Sequence, residues 1–217
     1  MSDIFREVDE EVRREQLKRL WDRYGILIIA AALLLIVGVG GWRGYERWEA
    51  KKAATAGTAF EAAAVLAEQG KHQEAEEAFA KVAADSPTSY RVLAKLREAA
   101  ELAQRDPKAA IASFKALAVD ASLGQLQQDF AAVRAGQLMV DQSTFDEIKA
   151  VLEPLTTADR PFRHSARALL ALAAWRANDI AATKRWSEMV ITDPESPVST
   201  RGQIEMLLSL VVEPAKS

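Results

Sequence analysis

The chain has 217 residues, 28 of them basic and 31 acidic, for a formal net charge of −3. Charges of both signs are interspersed, which excludes the basic face or stripe that a nucleic-acid binder needs. Cysteine is absent and histidine occurs only as His72 and His164, so disulfides, thiolate metal sites, cysteine nucleophiles and lipid attachment through cysteine are excluded.

Residues 1–23 form a short head. Phe5, Val8, Val12, Leu17, Leu20 and Trp21 recur at roughly helical spacing, with Glu10, Glu11, Arg14 and Glu15 on the other side. That pattern predicts an amphipathic helix, which either orients the next segment of the chain or docks a partner.

Residues 24–42 carry no charge. At about 1.5 Å per residue they reach roughly 28 Å as a helix, close to the thickness of a bilayer's hydrocarbon core. Tyr24 and Trp42 close the two ends, where amphipathic aromatic rings favour the headgroup level. A buried helix of a soluble protein would show a polar face, and this run shows none. A cleaved signal peptide fits poorly as well. The nearest small-x-small site, Ala54 to Ala56, lies beyond Arg43, Arg47, Lys51 and Lys52. The run therefore predicts a single uncleaved transmembrane signal anchor. Arg13, Arg14, Lys18, Arg19 and Arg23 precede it against those four basic residues after it, a slim bias that places the head in the cytoplasm and translocates the rest.

Residues 43–55 contain no strong helix breaker, so the anchor helix is expected to continue through this juxtamembrane stretch. Gly40 and Gly44 have the small-x-x-x-small spacing of helix dimers, with Arg43 between them.

From residue 56 to 217 the texture becomes alanine-rich with helical periodicity. Ala75/Phe79, Ala110/Phe114 and Ala182/Trp186 each place a small residue four before an aromatic, and the aromatics fall 35 and then 72 residues apart. Ile148/Leu152 occupies the missing phase with aliphatic residues. Asp85, Asp120, Asp159 and Asp193 follow in step, 35, 39 and 34 residues apart, with Pro87, Pro161 and Pro194 or Ser122 close behind. Such residues end one helix and cap the next. Small residues let antiparallel helices approach, so Ala75 and Ala182 are expected where helices touch, and the aromatics fill the wedge between neighbouring pairs.

This order of Ala, aromatic and Pro resembles the tetratricopeptide repeat, a helix–turn–helix unit of about 34 residues. In the first unit the resemblance includes Leu66, Gly70 at the turn, Ala75, Phe79, Val82 and Pro87. In the last it includes Ala166, Leu169, Leu170, Ala173, Asn178 and Asp179 at the turn, Ala182, Trp186, Met189 and Pro194. The middle units depart from it at Arg97, Glu98 and the irregular turn Asp106–Pro107. About four helix pairs are expected, closed by a capping helix after Ser196 and Pro197 that carries Ile204, Leu207, Leu208 and Val211. The fold class is all-α: a transmembrane helix, then a helical-hairpin solenoid with its cap.

No catalytic constellation, phosphate loop or metal set is readable, and His72 and His164 read as solvated surface residues. Neither enzyme activity nor a cofactor is expected. In a tetratricopeptide-like stack the first helix of each pair lines the concave face, where an extended peptide or partner helix binds. The candidate partner-binding groove is therefore Phe60, Ala64 and Glu68 in the first unit and His164, Arg167, Ala171, Ala174 and Trp175 in the last. Trp175 is either an interface anchor or a side chain packed under the next helix.

Head, anchor and repeats together resemble the ancillary SecYEG translocon subunit family (YfgM-like), with the anchor exit Gly41, Trp42, Arg43 and Trp48 as the most specific local feature. The resemblance implies a bacterial inner-membrane protein with a cytoplasmic N-terminus and a periplasmic repeat domain. Its implied partners are the SecYEG translocon, periplasmic chaperones or unfolded exported chains. A general membrane-anchored scaffold for an envelope or division assembly, and an enzyme on a helical platform, are the other classes left open.

Overall fold

The computed structural model describes residues 3–211, with the side chains of Arg14, Lys18, 21–27 and 29–211. The apolar side chains that define the head's amphipathic face, Phe5, Val8, Val12, Leu17 and Leu20, lie outside that set. Two units divide the chain, Met1–Lys52 and Ala53–Ser217. Among the described residues every regular element is a helix.

Helix α1, Asp3–Glu68, supplies the whole of the described part of the first unit. It contains a segment long and apolar enough to cross a membrane. A core helix of a soluble protein would cover such a segment. Here Ile26 is 86% exposed and Leu34, Leu35, Ile36 and Val37 are exposed as well, so among the described residues of the unit nothing covers them. Burying a Leu or Ile side chain is worth about 1.5–3 kcal/mol, and this row forgoes that gain within the unit.

In the second unit the last turns of α1 pair with α2, His72–Asp85. Gly70 reverses the chain with φ 75°, a backbone conformation that costs glycine nothing. Its N–H donates to the Ala67 carbonyl and that of Lys71 to the Leu66 carbonyl, which satisfies the last carbonyls of α1 as a Schellman motif does. The same device recurs between α7, Arg163–Arg176, and α8, Ile180–Ile191. There Asn178 takes φ 57°, and Asn178 and Asp179 donate to Trp175 and Ala174. Both turns fall where the sequence places them.

Between these pairs lie α3, Thr88–Arg105, with α4, Pro107–Ala118, and α5, Gln125–Met139, with α6, Phe145–Leu152. The Asp106–Pro107 turn is irregular only in length. Asp106 accepts from the Ala109 N–H and Pro107 opens α4 without a lost donor. Helix α6 starts on a capping box of Thr144 and Glu147. A 3₁₀ turn, Glu153–Leu155, follows it. Helix α9, Val198–Ser209, packs on α7 and α8 with Ile204 and Leu207 buried. It covers the last apolar face, as a solenoid's end requires.

Three core clusters run along the stack, around Phe79, around Phe114 and around Leu152, Leu170 and Trp186. Ala75 and Phe79 are fully buried, as are Ala110 and Phe114, and Ile148 and Leu152 take the same role in the third pair. The aliphatic substitution there has a geometric reason. A Cβ on Gly136 of α5 would come within 2.6–2.8 Å of three Leu152 side-chain atoms, so the small residue of this pair sits on the first helix and Leu152 fills the space it leaves.

One expectation is refined and one corrected. In the last pair Ala182 is half-buried and packs against the core cluster, while the fully buried small position beside it is Thr183. The Thr183 hydroxyl donates to the Asp179 carbonyl, which lets a polar residue sit at the helix contact. The periodic aspartates also do not cap the next helix. Helices α3, α5 and α9 begin after Pro87, Gly124 and Pro197 without a side-chain cap, while Asp106 and Asp179 cap the second helices α4 and α8.

Candidate partner-binding site

The residues marked for a groove are not brought together on one open face. Phe60 is half-buried, edge-on to Phe79 at 5.1 Å between ring centroids and 6.1 Å from Tyr90. Ala64 is half-buried against the same cluster and Glu68 is exposed. In the last unit His164, Arg167, Ala171 and Ala174 are all buried. They therefore lie under the surface and do not line it. The reason is that α7 is packed by α5, α6, the 3₁₀ turn, α8 and α9, which leaves little of it for a partner. Trp175, half-buried, is the member of that set at an opening.

Trp175 borders an apolar cleft of about 340 Å³ between α7 and α9, with Leu169, Leu172, Ile204 and Leu207. Met206 and Leu210 on its rim are 69% and 56% exposed. A second cavity, about 310 Å³, opens between α4, α5 and the end of α6, over Ala118, Val151 and Leu155. Lys115, Asp129 and Arg160 line it. Asp129 is buried, held by Arg160 Nη1 at 3.0 Å and by Gln125 Nε2 at 2.7 Å, so this carboxylate is spent on the fold.

Two of the periodic aspartates, Asp120 and Asp193, are ionic latches. Asp193 Oδ2 accepts from Arg167 Nη1 at 2.9 Å and Arg163 Nε at 3.3 Å, while its Oδ1 accepts from the Glu195 N–H at 3.0 Å. Arg163 also pairs with Glu195. Burial raises the Asp193 carboxyl's affinity for a proton, but the Glu195 N–H and the two guanidiniums outweigh it and hold the group below the usual carboxylate range. Asp120 repeats the theme at about 2, with Ser122 donating to it and Lys95 Nζ at 2.9 Å. Each latch joins the first helix of a unit to the end of the same unit, over 25 residues for Lys95–Asp120 and 26 for Arg167–Asp193. Lys95 and Arg167, one such interval before Asp120 and Asp193, are the signal that spacing analysis of the aspartates alone misses.

A further pair of contacts repeats. Arg91 reaches the Ser86 carbonyl at 3.2 Å and Arg201 the Ser196 carbonyl at 3.3 Å, in two Ser-Pro-x₃-Arg segments that start α3 and α9. Between α2 and α3, buried Glu101 lies 2.8 Å from His72 Nδ1 and 3.4 Å from Arg97. Arg105 meets Glu76 at 2.7 Å. Burial and the Glu76 charge raise the neighbouring Glu98.

The surface reading of His164 is corrected by its burial. Its Nδ1 lies 3.7 Å from Asp193, beyond a hydrogen bond, and has no other partner. Burial and then the Arg163 charge lower its pKa against the opposing pull of Asp193. The unfolded chain takes up this proton near 6.5 and the folded chain only below it. Stability from this site is thus complete above that value and is lost as the pH falls toward the depressed one. Urea midpoints of the full-length protein in detergent should fall between pH 7.5 and 5.5, and His164→Gln should flatten that interval. An unchanged pH slope in the variant would remove His164 as the cause.

Among the described residues no group of three His, Asp or Glu is placed to hold a metal ion. The second unit is a stack of antiparallel helix pairs tied by core wedges and salt bridges, the architecture of a helical repeat protein. The model of the tetratricopeptide repeat-like domain family matches residues 18–167, well over half of the 217 residues, and the chain belongs to that family. Neither the curated proteins nor the solved structures give a match.

Proposed function

We propose that the chain is a non-enzymatic, single-pass membrane protein whose helical repeats hold protein partners. The observation that carries this is the uncovered apolar segment of α1 preceding a repeat unit of a family that mediates protein–protein interaction. The more specific reading is an ancillary subunit of the SecYEG translocon in a bacterial inner membrane. Its head (residues 1–23) is cytoplasmic, residues 24–42 span the bilayer, and residues 56–217 meet periplasmic chaperones or newly exported chains. Resemblance of the anchor exit at Trp42, Arg43 and Trp48 supports it. Glu68 is the exposed member of the groove set, and half-buried Trp175 borders the α7–α9 cleft.

Topology is the first test. Gly70 is unsuited to a probe because its φ of 75° strains any side chain, whereas Lys71 is exposed. Lys71→Cys in this cysteine-free chain should react with a membrane-impermeant thiol reagent in intact spheroplasts. Labelling that needs lysis would reverse the orientation. In-cell cross-linking with mass spectrometry then tests the partner: SecYEG peptides support the translocon reading, and division or outer-membrane assembly proteins in their place would replace it with the scaffold reading.

A further inference from the structure

The eleven residues 42–52, at the exit of the apolar run, carry two opposite stripes. Trp42, Tyr45, Trp48 and Lys52 recur every three or four residues, so they share one face of α1. Trp42, Tyr45 and Trp48 are 72%, 59% and 54% exposed. Tyr45 and Trp48 lie 6.0 Å apart, and Lys52 Nζ sits 3.8 Å from the centre of the Trp48 ring. Arg43, Arg47 and Lys51 recur at four-residue spacing on the other side, also exposed. Against Glu46 and Glu49, the four cations leave this stretch two charges positive.

These stripes are too long for a bare anchor terminus. A Trp that marks the headgroup level suffices at residue 42, yet Trp48 lies about 9 Å further along the helix. The headgroup layer of one leaflet is only about 5–8 Å deep. Helical side chains lean toward the N-terminus of their helix, which at this end is toward the apolar run. Tyr45 and Trp48 therefore reach back to the layer that Trp42 occupies, and the Lys52 ammonium over Trp48 follows the same lean. Arg43 and Arg47 reach back in the same way on the other face, with forked donors that match phosphate oxygens.

We propose that residues 42–52 form an interfacial collar that binds anionic phospholipid headgroups. Arg43 and Arg47 grip the phosphates, and Trp42, Tyr45 and Trp48 seat the helix among the glycerol and headgroups. The collar rests on reading α1 as a membrane anchor. Its occupant is a lipid surface because the cationic and aromatic stripes flank an uncovered apolar run, and the anionic class follows from the positive charge they carry together.

The test uses the full-length protein carrying Trp21→Phe, reconstituted in phosphatidylcholine vesicles. Tryptophan quenching is compared for brominated phosphatidylglycerol and brominated phosphatidylcholine at equal, low mole fraction. The contribution of the collar is the part lost on further Trp42→Phe and Trp48→Phe substitution. Quenching by the anionic lipid should be at least about twofold stronger, a preference of the size expected for arginines at an anionic surface. Arg43→Gln with Arg47→Gln should equalise the two lipids while quenching by phosphatidylcholine persists. Equal quenching in the parent, or a preference that survives the double substitution, overturns the collar and leaves the anchor standing. Absence of quenching by either lipid overturns the anchor and the collar with it.

Discussion

Arg167→Ala should destabilise the repeat unit by about 3 kcal/mol, the scale for removing one partner of a buried charged network. Nε and Nη2 of this buried guanidinium donate to the Thr156 carbonyl at 3.0 and 2.8 Å, and Nη1 donates to the Met189 carbonyl at 3.1 Å and to Asp193 at 2.9 Å. One side chain thus ties the 3₁₀ turn after α6, helix α7, the end of α8 and the linker to α9. Lysine cannot reproduce the fork, so Arg167→Lys should recover less than half of the loss. Urea unfolding of the full-length protein in detergent, followed by circular dichroism, reads both variants. A loss below about 1 kcal/mol for Arg167→Ala, the level of an exposed ion pair, would show that the latch does not hold the stack. The Asp193 side of the latch has its own pH signature. A carboxyl held below its ordinary value stabilises fully above the unfolded value near 3.8 and loses that contribution as the pH falls through the folded one.

The periodicity of the fold was readable because two kinds of residue obey simple geometry. Gly70 and Asn178 sit at positive φ, where few residues other than glycine and asparagine are comfortable, so they mark inter-helix turns in the sequence itself. Ala75/Phe79 and Ala110/Phe114 mark close helix approach and wedge filling on the same helix. The third pair was harder to read because its small residue, Gly136, moved to the opposite helix, where no spacing rule within α6 can find it. The burial of the groove set was less legible for a related reason. The first-helix rule puts the groove set of the last unit on α7, but His164, Arg167, Ala171 and Ala174 fall on the part of α7 that five neighbouring elements cover. Lateral neighbours are a property of the stack, and no single helix pattern carries them. Arg167 shows the cost of that: a charged residue on a first helix reads as groove, whereas beside Asp193 its acceptors are two main-chain carbonyls that sequence does not display.

Phe114→Ala is expected to give the largest local loss, about 3–5 kcal/mol for removing a fully buried phenyl ring. Phe114 is wholly inaccessible and packs with Ala99, Leu117, Leu123, Ala131 and Ala135, which come from α3, α4, α5 and the turn between the last two. The Arg134 guanidinium lies 5.9 Å from its ring centre, a further attraction that alanine removes. Small residues line this cluster, so they cannot collapse far into the space, and the residual cavity keeps the cost near the upper end. Position in the stack sets how the loss spreads. Repeat units are stabilised by their own packing and by nearest-neighbour interfaces, and the cluster of Phe114 shares α3 with that of Phe79 and α5 with that of Leu170. Amide hydrogen exchange of the full-length protein in detergent should therefore accelerate most in α3, α4 and α5. It should accelerate less in α8 and α9, whose contacts lie in the last cluster. Equal acceleration in all five helices would mean that the repeats unfold as one cooperative body, and the division of the core into three successive wedges would not describe its energetics.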